Sequence, residues 1–201
     1  VQVEKHAMFL FVALLPWNYL SQSVLQSAGS LVQNANLVKK IYFPRAVLPL
    51  SVVAANMVNY ILGLAILIPA LLAWRIDLTW AVLAFPLVLA VQTLLVVALA
   101  LLFSVGNVYF RDLEHIAGIL MMIWFFLTPV LYPADIVPPN LRSLFNLNPA
   151  TPVIEAYRAI FFYGRWPDWG ELGYLALALA CFLLLVWAAF TRLERAVAEE
   201  V

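Results

Sequence analysis

Four long stretches of the chain contain no Asp, Glu, Lys or Arg, and this feature limits the possible folds more than any other. They cover residues 6–38, 46–74, 78–110 and 172–191, and a fifth, shorter stretch at 113–134 is interrupted only by Glu114. An α-helix rises about 1.5 Å per residue, so about 20 apolar residues cross a hydrocarbon core of about 30 Å. The sequence therefore predicts an all-α integral membrane protein with five spans, at about residues 7–33, 47–74, 80–105, 116–132 and 172–191.

The composition fits a protein embedded in lipid. Hydrophobic residues make up 66% of the chain and charged residues 11%, with a mean hydropathy of +0.98, whereas about 25% of a soluble domain is charged. The formal net charge is zero, which gives no reason to expect nucleic acid as a partner. Two His and one Cys form no recognisable metal-binding or disulfide pattern.

The sequence lacks the GxxxxGK[ST] phosphate loop of ATP-hydrolysing proteins. That loop cradles the phosphates with backbone N–H groups and a Lys side chain. Any ATP energy must therefore come from a partner chain, and we expect no cofactor on this one.

Two of the predicted spans carry polar stripes at helical spacing. The stripes consist of Asn18, Gln22 and Gln26 on the first span and of Asn56, Asn59 and Tyr60 on the second. The third span is the most uniformly apolar of the five. We expect it to face lipid or to serve as a scaffold.

Two connecting regions interrupt the apolar pattern. Segment 34–46 contains two Lys, one Arg and one Pro, which indicates a loop or short helix outside the bilayer. Region 133–169 is rich in Pro and Asn, and we interpret it as a re-entrant or interfacial pair of short helices. Within it, Glu155 and Arg158 are spaced i, i+3, so their side chains can reach each other. A single charge at membrane depth is costly, which favours such a pair.

Five segments carry a family pattern. In chain order they are NANLVKKIYFPRAVLPL, FRDLEH, FFLTPVLYPADIVP, LNPATPVIEAYRAIFF and RLERAVAEEV. Together they resemble the permease subunit of the ABC-2 type exporters of lipid-linked polysaccharides, which include O-antigen, capsule and teichoic acid transporters. The resemblance covers essentially the whole chain. Family permeases also have an interfacial helix and a further span before the first helix seen here, so we expect a truncated chain.

The resemblance implies a multi-pass homodimer in the cell (inner, cytoplasmic) membrane, in contact with membrane lipids. Its substrate would be a lipid-linked glycan. Two copies of a separate ABC ATPase, which bind ATP and Mg²⁺, would drive transport.

The resemblance also implies where the ATPase docks. Segment 34–46 would form a coupling helix, with contacts from Asn36, Lys39, Lys40, Tyr42, Phe43 and Arg45. The alternative is a basic loop at the lipid headgroups that sets orientation. Arg111 and Asp112 are candidates for a second ATPase contact, or they form a local ion pair with Glu114 at a helix end.

The same resemblance suggests roles inside the membrane. The two polar stripes would line a hydrated path for sugar hydroxyls, which amides match as donors and acceptors, or they would bond one helix to another. Trp124, Thr128 and Tyr132 recur at steps of four and would stack on sugar rings, or simply pack. Glu155 and Arg158 would belong to a gate on the outer side, or form an exposed interfacial pair.

Other functions stay open at this point. One is an ABC-2 exporter of drugs or small lipids. Another is a membrane-embedded enzyme acting on lipid-linked sugars, whose acid and base groups would come from Asp135, Glu155 and Asp168. A third is a structural membrane subunit without transport activity.

Overall fold

The computed structural model describes residues 2–35, 44–76, 78–133, 136, 145 and 147–200, with side chains described between residues 6 and 193 of these ranges. Its regular elements are helices: α1 (Gln2–Gln33), α2 (Val47–Ala73), a short 3-10 helix (Trp80–Ala84), α3 (Phe85–Tyr109), α4 (Leu113–Leu127), α5 (Ala150–Phe161) and α6 (Trp169–Glu200). Four segments are long and apolar enough to cross a membrane, at His6–Gln33, Val47–Ala73, Trp80–Tyr109 and Trp169–Leu193. The predicted all-α fold is confirmed for the described residues, whereas the predicted count of five spans is not.

The predicted fourth span, 116–132, differs most from the observed element. Helix α4 ends at Leu127, and Thr128 is extended, with φ −105° and ψ 135°. Thr128 precedes Pro129, and a proline ring disfavours the helical conformation in the residue before it. Helix α4 is therefore only about 22 Å long at 1.5 Å per residue. Its last turn lies beside the middle of α1, where the ring centroids of Trp17 and Trp124 are 6.1 Å apart.

Helix α3 lies between α1 and α6 and forms the centre of the bundle. The chain itself buries 56% of the span that contains α3, against 17% of the span in α6. The expectation that this span faces lipid is therefore wrong, and its alternative role as a scaffold fits. Apolar composition does not distinguish these cases, because lipid tails are as apolar as a protein core.

The polar residue Gln92 shows how α3 joins its neighbours. Its side chain is buried, and Nε2 donates to the Pro16 carbonyl of α1 over 2.7 Å. Its Oε1 accepts from the Tyr157 hydroxyl of α5, also over 2.7 Å. One amide thus connects three helices at the depth of the bundle centre.

The two ends of the bundle differ in character. At one end, where α1 ends and α2 begins, an apolar cluster joins four helices through Leu31, Ala46, Leu101, Val105, Val108, Val186 and Phe190. At the opposite end, which we call the aromatic end, the exposed side chains include Trp74, Trp80, Tyr163, Trp166, Trp169 and Tyr174. Trp and Tyr are enriched where helices leave the hydrocarbon for the headgroup layer. The aromatic end therefore has the character of a membrane–water interface.

The turn after α2 lies at the aromatic end. Arg75 has a left-handed φ of 55°. The N–H groups of Arg75 and Ile76 donate to the carbonyls of Leu72 and Leu71, each over 3.0 Å. This is the Schellman pattern that ends a helix, and it makes a tight turn at Arg75.

Candidate functional site

A polar groove with a volume of about 300 Å³ runs between α1 and α2. We call it the amide groove. Its lining contains Leu15, Asn18, Tyr19, Gln22, Gln26, Asn56, Asn59 and Tyr60. The structure therefore brings all six residues of the two predicted polar stripes to one surface.

Part of the groove is internally bonded. Asn56 is buried, and its Nδ2 donates to Gln26 Oε1 across the helix pair over 2.9 Å and to the Val52 carbonyl over 3.0 Å. Gln26 Nε2 in turn donates to Gln22 Oε1 over 3.3 Å. The alternative of a hydrogen bond between helices is therefore realised at Asn56 and Gln26.

The rest of the groove keeps free hydrogen-bonding capacity. Asn18 and Asn59 are exposed, and neither side chain bonds to another described residue. Tyr60 is buried beside Tyr157, with ring centroids 5.9 Å apart, so its hydroxyl is enclosed by the protein. Its ring stacks on Tyr19 with centroids 5.6 Å apart. The groove thus combines open amides with an aromatic pair.

The predicted aromatic stripe does not form a single helical face, because α4 ends before its last two members. Thr128 is fully buried, and its Oγ1 donates to the Trp124 carbonyl over 2.8 Å. Tyr132 lies in the following loop, where its hydroxyl donates to the Phe126 carbonyl over 2.9 Å. The expected stacking surface at steps of four is therefore not present.

Asn148, which the sequence analysis did not single out, ties the end of α4 to the start of α5. Its Oδ1 accepts from Trp124 Nε1 over 2.7 Å and from the Ala150 N–H over 3.0 Å. Its Nδ2 donates to Thr128 Oγ1 over 2.9 Å and to the Leu127 carbonyl over 3.1 Å. The sequence feature that could have indicated this role of Asn148 is the Asn-Pro pair directly before an apolar helix, because Asn favours helix starts and turns.

Arg158 is the most strongly bonded charged residue of the described core. Its side chain is 0% exposed and donates to Glu155 Oε1 over 2.8 Å. Nη2 donates to the Val130 carbonyl over 2.7 Å, and Nη1 donates to the carbonyls of Pro129 and Tyr132. The guanidinium thus fastens the loop after α4 onto α5.

The packing around Arg158 excludes one of the two interpretations of the Glu155 and Arg158 pair. The guanidinium carbon lies 3.8 Å from the ring centroid of Phe9 on α1, in a cation–π contact. Burial lowers the pKa of the Arg158 guanidinium, and the carboxylate of Glu155 opposes that shift. Glu155 is 31% exposed. The pair is therefore half buried, and the alternative of an exposed interfacial pair is wrong.

Most of the predicted coupling segment, including Asn36, Lys39, Lys40, Tyr42 and Phe43, lies outside the described residues. Arg45 is partly exposed in the turn that leads into α2. It lies at the end of the bundle opposite to the aromatic end, because the neighbouring Ala46 belongs to the apolar cluster there.

Arg111 and Asp112 are exposed in the turn between α3 and α4. Val108, at the end of α3, belongs to the same apolar cluster as Ala46, so this turn and Arg45 share one end of the bundle. No ion pair joins Arg111, Asp112 and Glu114 within the described residues, and the alternative of a local ion pair is wrong. Helix α4 is capped instead by Asn107, whose Oδ1 accepts from the Glu114 N–H over 3.0 Å.

The carboxylates considered for an enzyme have structural partners where they are described. Asp168 Oδ1 accepts from the N–H groups of Gly170 and Glu171, over 2.8 and 3.1 Å, at the start of α6. This is the geometry of a helix N-cap. Glu155 is bonded to Arg158, and Asp135 lies outside the described residues.

Comparison with known proteins identifies the family. Residues 2–162 match the ABC-2 type transporter family. The chain is 41% identical over 194 residues to the O-antigen export system permease protein RfbA of Myxococcus xanthus. The aligned region covers 96% of this chain and 74% of that protein. The chain is 31% identical over 166 residues to two proteins of the same name from Klebsiella pneumoniae, covering 82% of this chain and 64% of each relative. The chain therefore belongs to the ABC-2 type transporter family, as a membrane permease subunit with a transport role rather than an enzymatic one.

Proposed function

We propose that the chain exports lipid-linked polysaccharide across the cytoplasmic membrane as a homodimer. The observation that carries this proposal is the 41% identity to an O-antigen export permease over 96% of the chain. Family membership implies an ABC ATPase partner, and we propose that ATP and Mg²⁺ are bound there. The amide groove supports the substrate class, because amide side chains pair with hydroxyls as donors and as acceptors.

The connection between α1 and α2 suggests how ATPase motion reaches the glycan path. Segment 34–46 joins these two helices directly, and the same helices form both walls of the amide groove. A displacement of the segment by the ATPase would therefore change the spacing of the walls. Charged and aromatic side chains such as Lys39, Lys40 and Tyr42 suit a docking contact, because such residues combine electrostatic fit with buried anchors.

We propose that region 133–169 is re-entrant, which brings the span count to five with α4 as the incomplete fourth span. Helix α5 begins beside Pro16 and Leu20 at mid-depth of α1, and Phe162, which follows it, contacts Phe9 with ring centroids 5.5 Å apart. Twelve residues are too few to cross a bilayer. This region would act as the gate, with Arg158 as its fixed point and the half-exposed Glu155 as the group that meets the glycan.

Complementation tests the export function. The chain and its cognate ATPase would be expressed in a strain that lacks its own O-antigen permease but still makes the lipid-linked glycan. We expect the glycan to appear at the cell surface, measured by antibody labelling of intact cells. If the complex assembles in the membrane and the glycan still accumulates inside, the proposal is wrong.

Charge reversal tests the coupling segment. In the same strain, changing Lys39, Lys40 and Arg45 to Glu should abolish co-purification of the ATPase, while membrane insertion continues. Arg75→Glu is the matched control, because Arg75 is exposed at the aromatic end. Equal ATPase recovery from both variants would rule out the docking role.

A third variant tests the gate. Glu155→Gln, which removes the charge but keeps an oxygen that can accept from Arg158, should lower glycan export at unchanged membrane abundance. Unchanged export would remove Glu155 from the gate and leave the export function intact.

A further inference from the structure

We infer that the amide groove selects glycans without charge and disfavours polysaccharides that carry a carboxylate or phosphate in each repeat. The inference rests on the proposed export function and adds the charge class of the substrate. The polar side chains of the groove are five amides and the tyrosines Tyr19 and Tyr60. All of them are neutral at physiological pH.

Among the described residues, no Lys or Arg lines the groove to compensate an anion. Residues 6–38, 46–74 and 78–110 contain no Lys or Arg, and they include all of α2 and α3 and all of α1 after Lys5. Arg158 lies deeper in the bundle, but its guanidinium is fully enclosed by carbonyls, Glu155 and the Phe9 ring. A carboxylate that leaves water without gaining a paired cation is strongly disfavoured.

The free hydrogen-bonding groups of the groove fit hydroxyls better than anions. Asn18 and Asn59 each offer an amide oxygen as well as an N–H₂ group, and neither is bonded to a described side chain. A sugar hydroxyl both donates and accepts, whereas a carboxylate only accepts and meets amide oxygens with repulsion.

A second feature acts in the same direction at the aromatic end. A crevice of about 420 Å³ between α5 and α6 is lined by Glu155, Asp168 and Glu171, and Arg165 is the one basic residue among its described lining residues. The Arg165 guanidinium lies 4.9 Å from the Tyr163 ring centroid. Glu155 is paired with Arg158, so the carboxylates of Asp168 and Glu171 against the Arg165 guanidinium leave this crevice weakly negative, which disfavours an anionic chain that passes it.

Paired export measurements test the charge class. The full chain and its ATPase would be expressed in cells that make either a lipid-linked polymannose or a lipid-linked polymer with one glucuronic acid in each repeat. Surface glycan would be measured on intact cells and divided by total glycan. We expect the neutral polymer to be exported about tenfold or more better than the anionic one, because the anion loses hydration without a counter-charge.

Two lysine variants locate the origin of the preference. Gln22→Lys and Asn59→Lys place a cation in the groove from either wall, and each should narrow the ratio of neutral to anionic export severalfold. Gln33→Lys, at the exposed end of α1 outside the groove, is the control and should leave the ratio unchanged. If one of the two groove variants fails to insert into the membrane, the other still tests whether the groove sets the preference.

The outcomes separate the two claims. Equal export of both polymers by the wild-type chain overturns the charge selection and leaves the export function standing. If both groove variants show the same ratio of neutral to anionic export as Gln33→Lys, the groove is not the cause of the preference. Export of neither polymer by an assembled complex refutes the export function, and the charge selection with it.

Discussion

Replacing Arg158 by Met should destabilise the protein strongly, although Met preserves most of the side-chain volume. The substitution leaves the carbonyls of Pro129, Val130 and Tyr132 without their donor, and Glu155 without its cation. At the average of about 0.6 kcal/mol for a polar contact between membrane helices, these four contacts contribute about 2 kcal/mol. Removing one partner of a buried ion pair in soluble proteins costs about 3–5 kcal/mol.

The expected loss for Arg158→Met is therefore about 2–5 kcal/mol, with the partial exposure of Glu155 favouring the lower half of that range. For a chain of this length, 3 kcal/mol corresponds to a fall in Tm of about 6–12 °C. The measurement is thermal unfolding of the purified protein in detergent, followed by intrinsic tryptophan fluorescence.

Two further variants make the test specific. Arg165→Met removes an exposed guanidinium and should change stability by less than about 0.5 kcal/mol. Arg158→Lys keeps the charge but presents one ammonium to several carbonyls, so its Tm should lie between those of wild type and Arg158→Met. A Tm for Arg158→Met within about 2 °C of the Arg165→Met value would refute the role of Arg158 as the fastener of the loop.

Two other substitutions test the packing of the bundle in the same unfolding assay. Gly63→Leu should lower the free energy of unfolding by about 1–3 kcal/mol, because even a Cβ at Gly63 lies 2.9 Å from Leu15 Cδ2. Gly118→Leu is the control, since nothing lies within 4 Å of its Cβ position. Equal losses of stability in the two variants would contradict close packing of α1 on α2. Gln92→Leu should cost about 1–3 kcal/mol, because the Tyr157 hydroxyl then loses its buried acceptor. A wild-type Tm for this variant would show that the three-helix connection contributes nothing.

The polar stripes show how far periodicity alone reaches. Helical spacing places Asn18 and Gln22 on one face of α1, and Asn56 and Asn59 on one face of α2, without any tertiary information. Whether the two faces meet depends on how the helices are rotated against each other. The structure rotates both toward a shared groove, and the sequence contains no local signal for that choice.

Arg158 shows a second limit of sequence reasoning. The i, i+3 spacing predicts its contact with Glu155, because that distance is set by the helix itself. Its other partners are distant in the chain: the carbonyls of Pro129, Val130 and Tyr132 are available because α4 ends early, and the ring of Phe9 comes from α1. Helix α4 ends at Leu127 because of Pro129. The effect of Pro129 on Thr128 can be predicted from the sequence, whereas its consequence for Arg158 depends on the tertiary structure.

The sequence by itself determined that the chain crosses a membrane as apolar helices, because unpaired backbone groups cannot stay in lipid and helices satisfy them locally. It also determined which faces of those helices are polar. Only the tertiary structure decided that α3 is the scaffold and α6 is largely exposed. The physical reason is that lipid and protein interiors are equally apolar, so the placement of a helix depends on packing between helices rather than on hydrophobicity.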